Sequence, residues 1–237
     1  MNKMNVSSNF IALMGKIVVF LNKTLLSKFK VVLCPIMFYK ENRDNYIYKY
    51  HDYIRISSLE LVANEIYENK ISGNVAELGV FQGRFAKYIN QAFHDRKLYL
   101  FDTFEGFNEK DIKKEENVNG RKGVIHDFSK TNVESVLKKM RYKENCIIKK
   151  GYFPETVKDL EDSFVFVSID VDLYEPIYNG LAYFYPRLKK GGYIFIHDFN
   201  DAKIYKGAKI AVKKYCMEHS ISYFPLTDGG GSVIIVK

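Results

Sequence analysis

The chain of 237 residues is long enough for one sizeable hydrophobic core, and its 47% hydrophobic and 27% charged residues exclude a disordered protein. Its three cysteines are odd in number and widely spaced, which excludes a disulfide framework or a zinc site and predicts a reducing, cytoplasmic environment. A formal charge of +8 is compatible with an acidic ligand, a nucleic acid or a membrane surface, but the lysines are scattered along the chain, as on a solvated surface.

Residues 1–55 are predicted to form an N-terminal helical arm or lid. Leu13, Ile17 and Phe20 follow helical spacing, and the lysines between them end the apolar run before it is long enough to span a bilayer. Three interpretations are open: the helix packs on its own domain, it joins two copies in a homodimer, or it lies on a membrane surface. The first two are favoured, because apolar stripes usually bind protein. The tyrosine-rich residues 45–54 either close over a site or pack at the surface.

Residues 56–237 are predicted to form one domain in which strands and helices alternate. Seven apolar segments of strand length occur at residues 74–80, 97–102, 145–151, 164–170, 193–198, 222–227 and 232–237. Helices are predicted at residues 56–69, 84–93, 131–140, 176–188 and 207–219, and a long polar loop at residues 108–123. This alternation predicts an α/β fold with a doubly wound, mostly parallel seven-stranded sheet. The glycine-rich residues 228–232 join the last two strands as a hairpin, so the last strand runs antiparallel.

Polar residues lie where several predicted strands end. Asp102 ends the second strand, Asp170 the fourth, and His197 and Asp198 the fifth. The carboxyl ends of parallel strands form one edge of the sheet, where ligands bind in open α/β folds, so we expect the ligand site there. Asp172, just past the fourth strand, also fits the role of a helix cap.

The segment ELGVFQGRF places Gly79 and Gly83 between the first strand and the next helix. Glycine permits a tight turn there and lets the start of the helix approach a ligand. Asp102 follows about 20 residues after Gly79, the spacing at which an acidic side chain binds the hydroxyl groups of a ribose. The two features together favour a nucleoside-bearing cofactor. The G-x-G-x-x-G fingerprint is missing, which argues against the alternative of a nucleotide-linked oxidoreductase.

Five segments occur in the order found in class I S-adenosylmethionine-dependent methyltransferases: VAELGVFQGRFA, LFDTFEGF, KKGYFPETV, IDVDLYEP and PRLKKGGYIFIHDF. Over roughly residues 55–237 the chain resembles the macrocin O-methyltransferase family, which methylates sugar hydroxyls on antibiotics and glycans. The resemblance implies transfer of a methyl group from S-adenosylmethionine to a hydroxyl of a sugar or of a glycosylated small molecule.

The resemblance also implies eight cofactor-binding residues: Glu77, Gly79, Gly83, Asp102, Thr103, Phe104, Tyr152 and Phe153. The first three would surround the methionine portion, and Asp102 would bind the ribose with its two neighbours beside it. Tyr152 and Phe153 would lie near the adenine or the substrate, although packing in the core explains these two aromatic residues equally well.

Asp170 and Asp198 are predicted on adjacent strands, within reach of one ion. Oxygen ligands suit Mg²⁺, and such an ion lowers the pKa of a bound hydroxyl so that a carboxylate can remove its proton. The resemblance implies this route, with Asp170 as metal ligand and base. His197 departs from the family, in which two acids often stand here, and imidazole suits transition metals better.

Three interpretations of His197 follow from this departure. It is a ligand of a weaker or different divalent cation beside Asp170 and Asp198, the general base of a metal-free site, or a group that orients its neighbours. A nucleic acid is not an expected partner, because no compact basic stripe with interleaved aromatic residues occurs.

Overall fold

The structure, a computed structural model, describes residues 8–29, 53–119, 127–200 and 206–237. The chain divides into two compact units, residues 1–44 and residues 45–237. The boundary expected between residues 55 and 56 falls inside helix α2 (Tyr53–Glu68), so this helix belongs to the larger unit.

The first unit contains helix α1 (Ser8–Thr24), followed by a 3₁₀ turn at Leu26–Phe29. The apolar side chains of Leu13, Ile17 and Phe20 on this helix are exposed. None of the helices in the described ranges is both long enough and apolar enough to cross a bilayer. The three interpretations of the arm remain predictions, and most of the tyrosine-rich stretch, through residue 52, lies outside the described residues.

The second unit is built on a seven-stranded sheet, as predicted. Its strands are β1 (Asn74–Leu78), β2 (Leu98–Asp102), β3 (Cys146–Lys150), β4 (Phe164–Ile169), β5 (Leu188–Ile196), β6 (Tyr223–Pro225) and β7 (Val233–Val236). The strand order is β3-β2-β1-β4-β5-β7-β6. The first five strands pair in parallel, whereas β7 pairs antiparallel with both β5 and β6, which confirms the predicted direction of the last strand.

Helices cover both faces of the sheet, as in a doubly wound fold. Besides α2 they are α3 (Ala86–Ala92), α4 (Glu109–Asn119), α5 (Val133–Leu137), α6 (Tyr174–Arg187) and α7 (Gly207–Glu218). One core contains Phe184 of α6 and Val212 of α7, and the other contains Leu59 of α2 and Ile89 of α3. Each of these side chains is fully buried, and such burial stabilises the fold by about 1.5–3 kcal/mol per large apolar residue.

Helix α4 lies where a long polar loop was predicted at residues 108–123, and that prediction was wrong. Its buried face carries two acids, Asp111 and Glu115, each only 5% exposed, so no apolar stripe marks the helix in the sequence. The Glu115 carboxylate accepts the backbone N–H of Tyr174 at 2.8 Å and that of Gly207 at 2.9 Å. These two residues begin α6 and α7, where free N–H groups and the helix dipoles favour a negative charge. Glu115 therefore fastens α4 across both helices.

Candidate active site

A cavity of about 650 Å³ opens at the carboxyl ends of the parallel strands. The strand order reverses between β1 and β4, and ligands bind at such points in open α/β sheets. Nine of the eleven site residues predicted from the sequence line this cavity: Glu77, Gly79, Asp102, Thr103, Tyr152, Phe153, Asp170, His197 and Asp198. The volume falls in the range usual for sites that hold a small molecule or cofactor.

The two other predicted residues, Gly83 and Phe104, lie away from the cavity wall. A side chain on Gly83 would meet Val136 of α5 at 3.0 Å, so this glycine lets the helix pack closely. Phe104 is 5% exposed and belongs to the core. Phe153 does line the cavity, but its ring also stacks on Phe184 in the core, so it serves packing as well.

Gly79 lies where three strands converge. Its φ of +89° is in the left-handed region, and a Cβ here would lie 2.0 Å from the carbonyl oxygen of Asp170. Its N–H donates to the Phe101 carbonyl at 2.9 Å, and the Asp170 N–H donates to the Leu78 carbonyl at 2.8 Å. Any side chain at position 79 would push β4 away from β1, so the glycine turn and the acid that follows β4 are coupled mechanically.

Asp102, the predicted ribose-binding residue, bonds to the backbone of the turn after β1 and of the turn after β2. One carboxylate oxygen accepts the N–H groups of Val80 and Phe81, each at 2.7 Å, and the other accepts the N–H of Phe104 at 2.7 Å. Phe81 and Phe104 have φ of +46° and +56°, uncommon for a bulky side chain, and the carboxylate stabilises both turns. A carboxylate accepts about four hydrogen bonds, so Asp102 keeps some capacity for a ligand.

The cavity has an aromatic and acidic side that was not predicted. Phe81 and Phe107 each lie edge-on to Phe128, with ring centres 5.1 and 5.0 Å apart. Asp111 of α4 accepts a hydrogen bond from the Tyr152 hydroxyl at 2.7 Å. Asp111 and Phe128 were missed because the segment from 108 to 128 carries no motif and α4 was predicted as a loop.

Asp170, His197 and Asp198 meet at the ends of the adjacent parallel strands β4 and β5. The Nδ1 atom of His197 lies 3.2 Å from an oxygen of Asp170 and 2.9 Å from an oxygen of Asp198. Gly230, in the hairpin before β7, covers the imidazole so closely that a Cβ there would lie 2.4 Å from the Nε2 atom. Only a glycine at this position leaves room for the ring.

Arg55 of α2 completes this group. It is 3% exposed, and its guanidinium donates to Asp170 Oδ2 and to Ser168 Oγ, both at 2.9 Å, while lying 3.9 Å from the centre of the Phe85 ring. Arg55, Asp170, His197 and Asp198 are called the ionic cluster below. One feature of the sequence could have indicated that Arg55 is buried. Arg55 stands one helical turn before Leu59, at a position where the apolar stripe of α2 would otherwise continue.

The charged groups of the ionic cluster shift one another's pKa values. Burial alone would raise the pKa of Asp170, but His197 and Arg55 beside it hold that pKa well below its usual range. Burial would lower the pKa of His197, but the Asp170 carboxylate and hydrogen bonding with both acids raise it to about 10. Burial, together with the nearby Asp170 and Asp198, raises the pKa of Asp172 well above its usual range. At neutral pH Asp170 is therefore ionised, whereas Asp172 holds a proton more readily than an ordinary aspartate.

The donor atoms of Asp170, His197 and Asp198 lie within 4.8 Å of one another, close enough to bind one ion. Among the described residues, no acceptor or donor meets hydrogen-bond geometry with the buried Nδ1 atom of His197, although two carboxylate oxygens lie at ion-pair distance from it. An ion held by all three side chains would satisfy this atom. Two oxygens and an imidazole nitrogen fit a divalent cation, and the nitrogen favours a transition metal over Mg²⁺.

The sheet order, the reversed last strand and the cavity at the strand ends define a Rossmann-like methyltransferase fold. The crystal structure of CalS11, a calicheamicin methyltransferase, has this fold: it aligns with a TM-score of 0.63 at 16% sequence identity, over 98% of this chain and 94% of that one.

The sequence profile of the macrocin-O-methyltransferase (TylF) family matches residues 48–228, and the chain belongs to this family. Demethyldecarbamoylnovobiocin O-methyltransferase of Streptomyces niveus is 23% identical over 158 residues, 61% of this chain and 60% of the relative. Mycinamicin III 3''-O-methyltransferase of Micromonospora griseorubida is 25% identical over 183 residues, 71% of this chain and 70% of the relative. The match therefore spans less than two thirds of the length of the first relative.

Proposed function

We propose that the chain transfers the methyl group of S-adenosylmethionine to a hydroxyl of a sugar, carried on a glycan or on a glycosylated small molecule. One observation carries the proposal: a glycine turn and the ionic cluster line the same cavity. The turn could bind a nucleoside cofactor, and the cluster could deprotonate a hydroxyl. Membership of the family supports the reaction class, and the names of the two relatives support a sugar-bearing acceptor.

The cofactor fits along the ends of β1, β2 and β3. The turn at Gly79 would face the methionine portion, and Asp102, which already fixes the turns at Phe81 and Phe104, would accept from the ribose. S-adenosylmethionine supplies an electrophilic methyl group, and S-adenosylhomocysteine is the product. The residues of the turn contribute by fixing the position of the sulfur relative to the ionic cluster, and such positioning supplies much of the rate.

Asp170 is proposed to accept the proton of the sugar hydroxyl. The hydroxyl oxygen then forms a bond to the methyl carbon, and the carbon–sulfur bond breaks with its electron pair left on sulfur. Arg55 holds one oxygen of Asp170 at 2.9 Å, so the carboxylate keeps a fixed direction. Asp170, His197 and Asp198 would together hold a divalent cation, and its binding would release the proton of the His197 imidazole. When bound, that cation would lower the pKa of the hydroxyl, so that a weakly basic carboxylate could accept its proton.

A metal-free route with His197 as general base is less well supported. A general base must be neutral before it accepts a proton, whereas the two carboxylates near His197 raise its pKa to about 10 and keep the imidazole protonated at neutral pH. A nucleotide-linked oxidoreductase is disfavoured by membership of the methyltransferase family and by the missing dinucleotide fingerprint.

The test is transfer of label from methyl-labelled S-adenosylmethionine to a panel of acceptors: nucleotide-linked sugars, glycosylated macrolides and aminocoumarins, and glycan fragments. We expect label in at least one sugar hydroxyl, located by mass spectrometry of the product. In parallel, thermal unfolding is followed with S-adenosylhomocysteine and with NADH, and only the first should stabilise the protein. Stabilisation by NADH alone, or label found only in added RNA, would refute the proposal.

A further inference from the structure

Most of the net positive charge of the chain lies in residues 1–40, called the basic segment below. Lysines occur along the whole sequence, but the basic segment contains six of them and no aspartate or glutamate, so it carries six of the eight net positive charges. Over residues 41–237 acidic and basic residues nearly balance. The basic segment therefore presents a single sign of charge, which favours an anionic partner.

Helix α1 lies within the basic segment and has a broad apolar face. Each residue of an α-helix is rotated by about 100° from the one before it, so Leu13, Ile17 and Phe20 fall within about 60° of one another. Their side chains are 55%, 42% and 65% exposed. Val18 and Leu21, which are partly exposed, extend this face to about 160° of the helix circumference. Three large apolar side chains of one helix are thus turned to solvent.

Lysines border the apolar face along one edge. Lys16 lies four residues before Phe20 and Lys23 lies three residues after it, so both flank Phe20 on the helix surface. Both lysine side chains are exposed. A lysine at such an edge covers apolar surface with its methylene groups while its ammonium group reaches the polar surroundings. An apolar face bordered by lysines is typical of a helix that lies in a membrane surface.

The charge and the width of this face distinguish the three partners open to α1. The exposure of its apolar side chains disfavours packing on the chain's own domain. A second copy would bring the same lysines together, with no acid in the basic segment to pair with them, and paired helices use a narrower apolar stripe. The headgroups of an anionic membrane supply the missing negative charge, and a surface takes up a broad apolar face.

We propose that α1 is an interfacial anchor that lies in the surface of an anionic membrane. Leu13, Ile17 and Phe20 insert at the boundary between headgroups and acyl chains, and Lys16 and Lys23 contact the headgroups. A single helix lying in the interface gives peripheral, reversible binding. This binding requires neither cofactor nor acceptor, so it can be measured apart from methyl transfer.

The test measures flotation of the full chain with vesicles of phosphatidylcholine alone and of phosphatidylcholine with about 30% phosphatidylglycerol. We expect the anionic vesicles to bind the protein at least about tenfold more tightly at low salt, and added salt should weaken that binding by screening the lysines. Lys16→Gln and Lys23→Gln should each lower the partition coefficient for anionic vesicles about fivefold, the contribution of one lysine near an anionic surface.

Two apolar residues of α1 provide a matched pair that tests insertion separately from charge. Ile17 and Val19 are both branched at Cβ and are similarly exposed, at 42% and 52%. They point about 160° apart, so Val19 lies outside the apolar face. Ile17→Ser should lower the partition coefficient about tenfold, because it removes an inserted side chain, whereas Val19→Ser should change it less than about twofold.

Absence of vesicle binding, equal losses in the two serine variants, or equal binding to both vesicle compositions would overturn the proposal. Sedimentation velocity and thermal unfolding then identify the partner. A dimer that Ile17→Ser dissociates would assign the apolar face to a second copy, and a monomer that Ile17→Ser destabilises would assign it to the chain's own domain. Each of these outcomes leaves the proposed methyl transfer intact.

Discussion

At the ends of β1 and β2 the cavity is shaped by backbone, whereas at the ends of β4 and β5 it is formed by four charged side chains in contact. The first region depends on Gly79 and on Asp102, whose carboxylate is bonded to three N–H groups of the chain itself. The second region is the ionic cluster, in which Arg55, Asp170, His197 and Asp198 each set the charge state or direction of a neighbour.

The difference predicts how each region responds to substitution. In the backbone-shaped region a substitution should move the turn and weaken cofactor binding. In the ionic cluster it should change charges that are shared among several groups, so effects on turnover should be large and not additive. Changes in the cluster should therefore alter kcat far more than the affinity for S-adenosylhomocysteine.

Asp170→Asn should have the largest effect. The amide neither accepts a proton nor balances Arg55, so we expect kcat to fall by about 10²–10⁴-fold. The dissociation constant of S-adenosylhomocysteine should change only a few-fold, because the cofactor contacts lie on other strands. Initial rates and calorimetric titration measure the two quantities. The matched control is Asp172→Asn: burial and the nearby Asp170 and Asp198 raise the pKa of Asp172, so an amide there changes the charge less than at position 170, and the activity should fall less. Equal losses in the two variants would contradict the assignment.

Arg55→Met should come next, since it removes the one side chain that fastens the ionic cluster to α2. The methionine keeps contact with Phe85 but leaves Asp170 and Ser168 without their donor. We expect the free energy of unfolding to fall by about 2–3 kcal/mol and kcat by up to about 100-fold. Urea unfolding and initial rates measure these.

If Arg55 positions Asp170, a lysine at position 55 should not restore the full kcat. Arg55→Lys restores the charge but not the two-pronged geometry, so it should recover stability better than kcat. Full recovery of kcat by the lysine would show that only the charge matters at this position, and an unchanged kcat in Arg55→Met would exclude the role altogether.

Removal of divalent cations tests the proposed metal in the ionic cluster. Treatment with EDTA should abolish most turnover, and Mn²⁺ should restore it better than Mg²⁺, because an imidazole nitrogen takes part. His197→Asp should shift the ratio of the Mn²⁺ and Mg²⁺ dissociation constants toward Mg²⁺ by roughly tenfold. Calorimetry and the Mn²⁺ electron paramagnetic resonance signal report binding without reference to activity. Full turnover in a metal-stripped sample would exclude a metal.

The backbone-shaped region could largely be predicted from the sequence, and the ionic cluster only in part. Each strand is an apolar run with a turn or a polar residue after it, so local patterns located Gly79, Asp102, Asp170 and His197. Asp102 lies at the expected place, but its three bonds to backbone N–H groups depend on turns whose φ values no sequence pattern encodes.

Two parts of the site could not be located, for different physical reasons. Arg55 falls in the predicted N-terminal arm, before the five segments that carry the resemblance, and its role depends on how α2 lies over the sheet, which is a tertiary contact. Helix α4 has a polar buried face, so apolar periodicity gives no signal for it, and its stability comes from Glu115 bound to the starts of two distant helices.

Glu77 is influenced by charges of both regions, and its effect should appear in the pH dependence of stability. It is the last residue but one of β1 and is 1% exposed, and burial raises its pKa well above the usual range. Arg55 opposes this shift, whereas Asp170 and Asp102 add to it. The folded protein therefore holds a proton that the unfolded chain releases above pH about 4.5. Its contribution is complete below that pH and is lost as the pH rises through the folded-state pKa.

Within that window this one group should lower the free energy of unfolding by up to about 1.4 kcal/mol per pH unit. Glu77→Gln mimics the protonated acid and cannot titrate, so the variant should gain on the wild type as the pH rises from about 5 to 8, as measured by urea unfolding. The charges of Asp102 and Asp170 both raise the folded-state pKa of Glu77, so Asp102→Asn and Asp170→Asn should each lower that pKa and end the loss of stability at a lower pH. Parallel pH profiles for the wild type and Glu77→Gln would contradict the raised pKa of Glu77 in the folded protein.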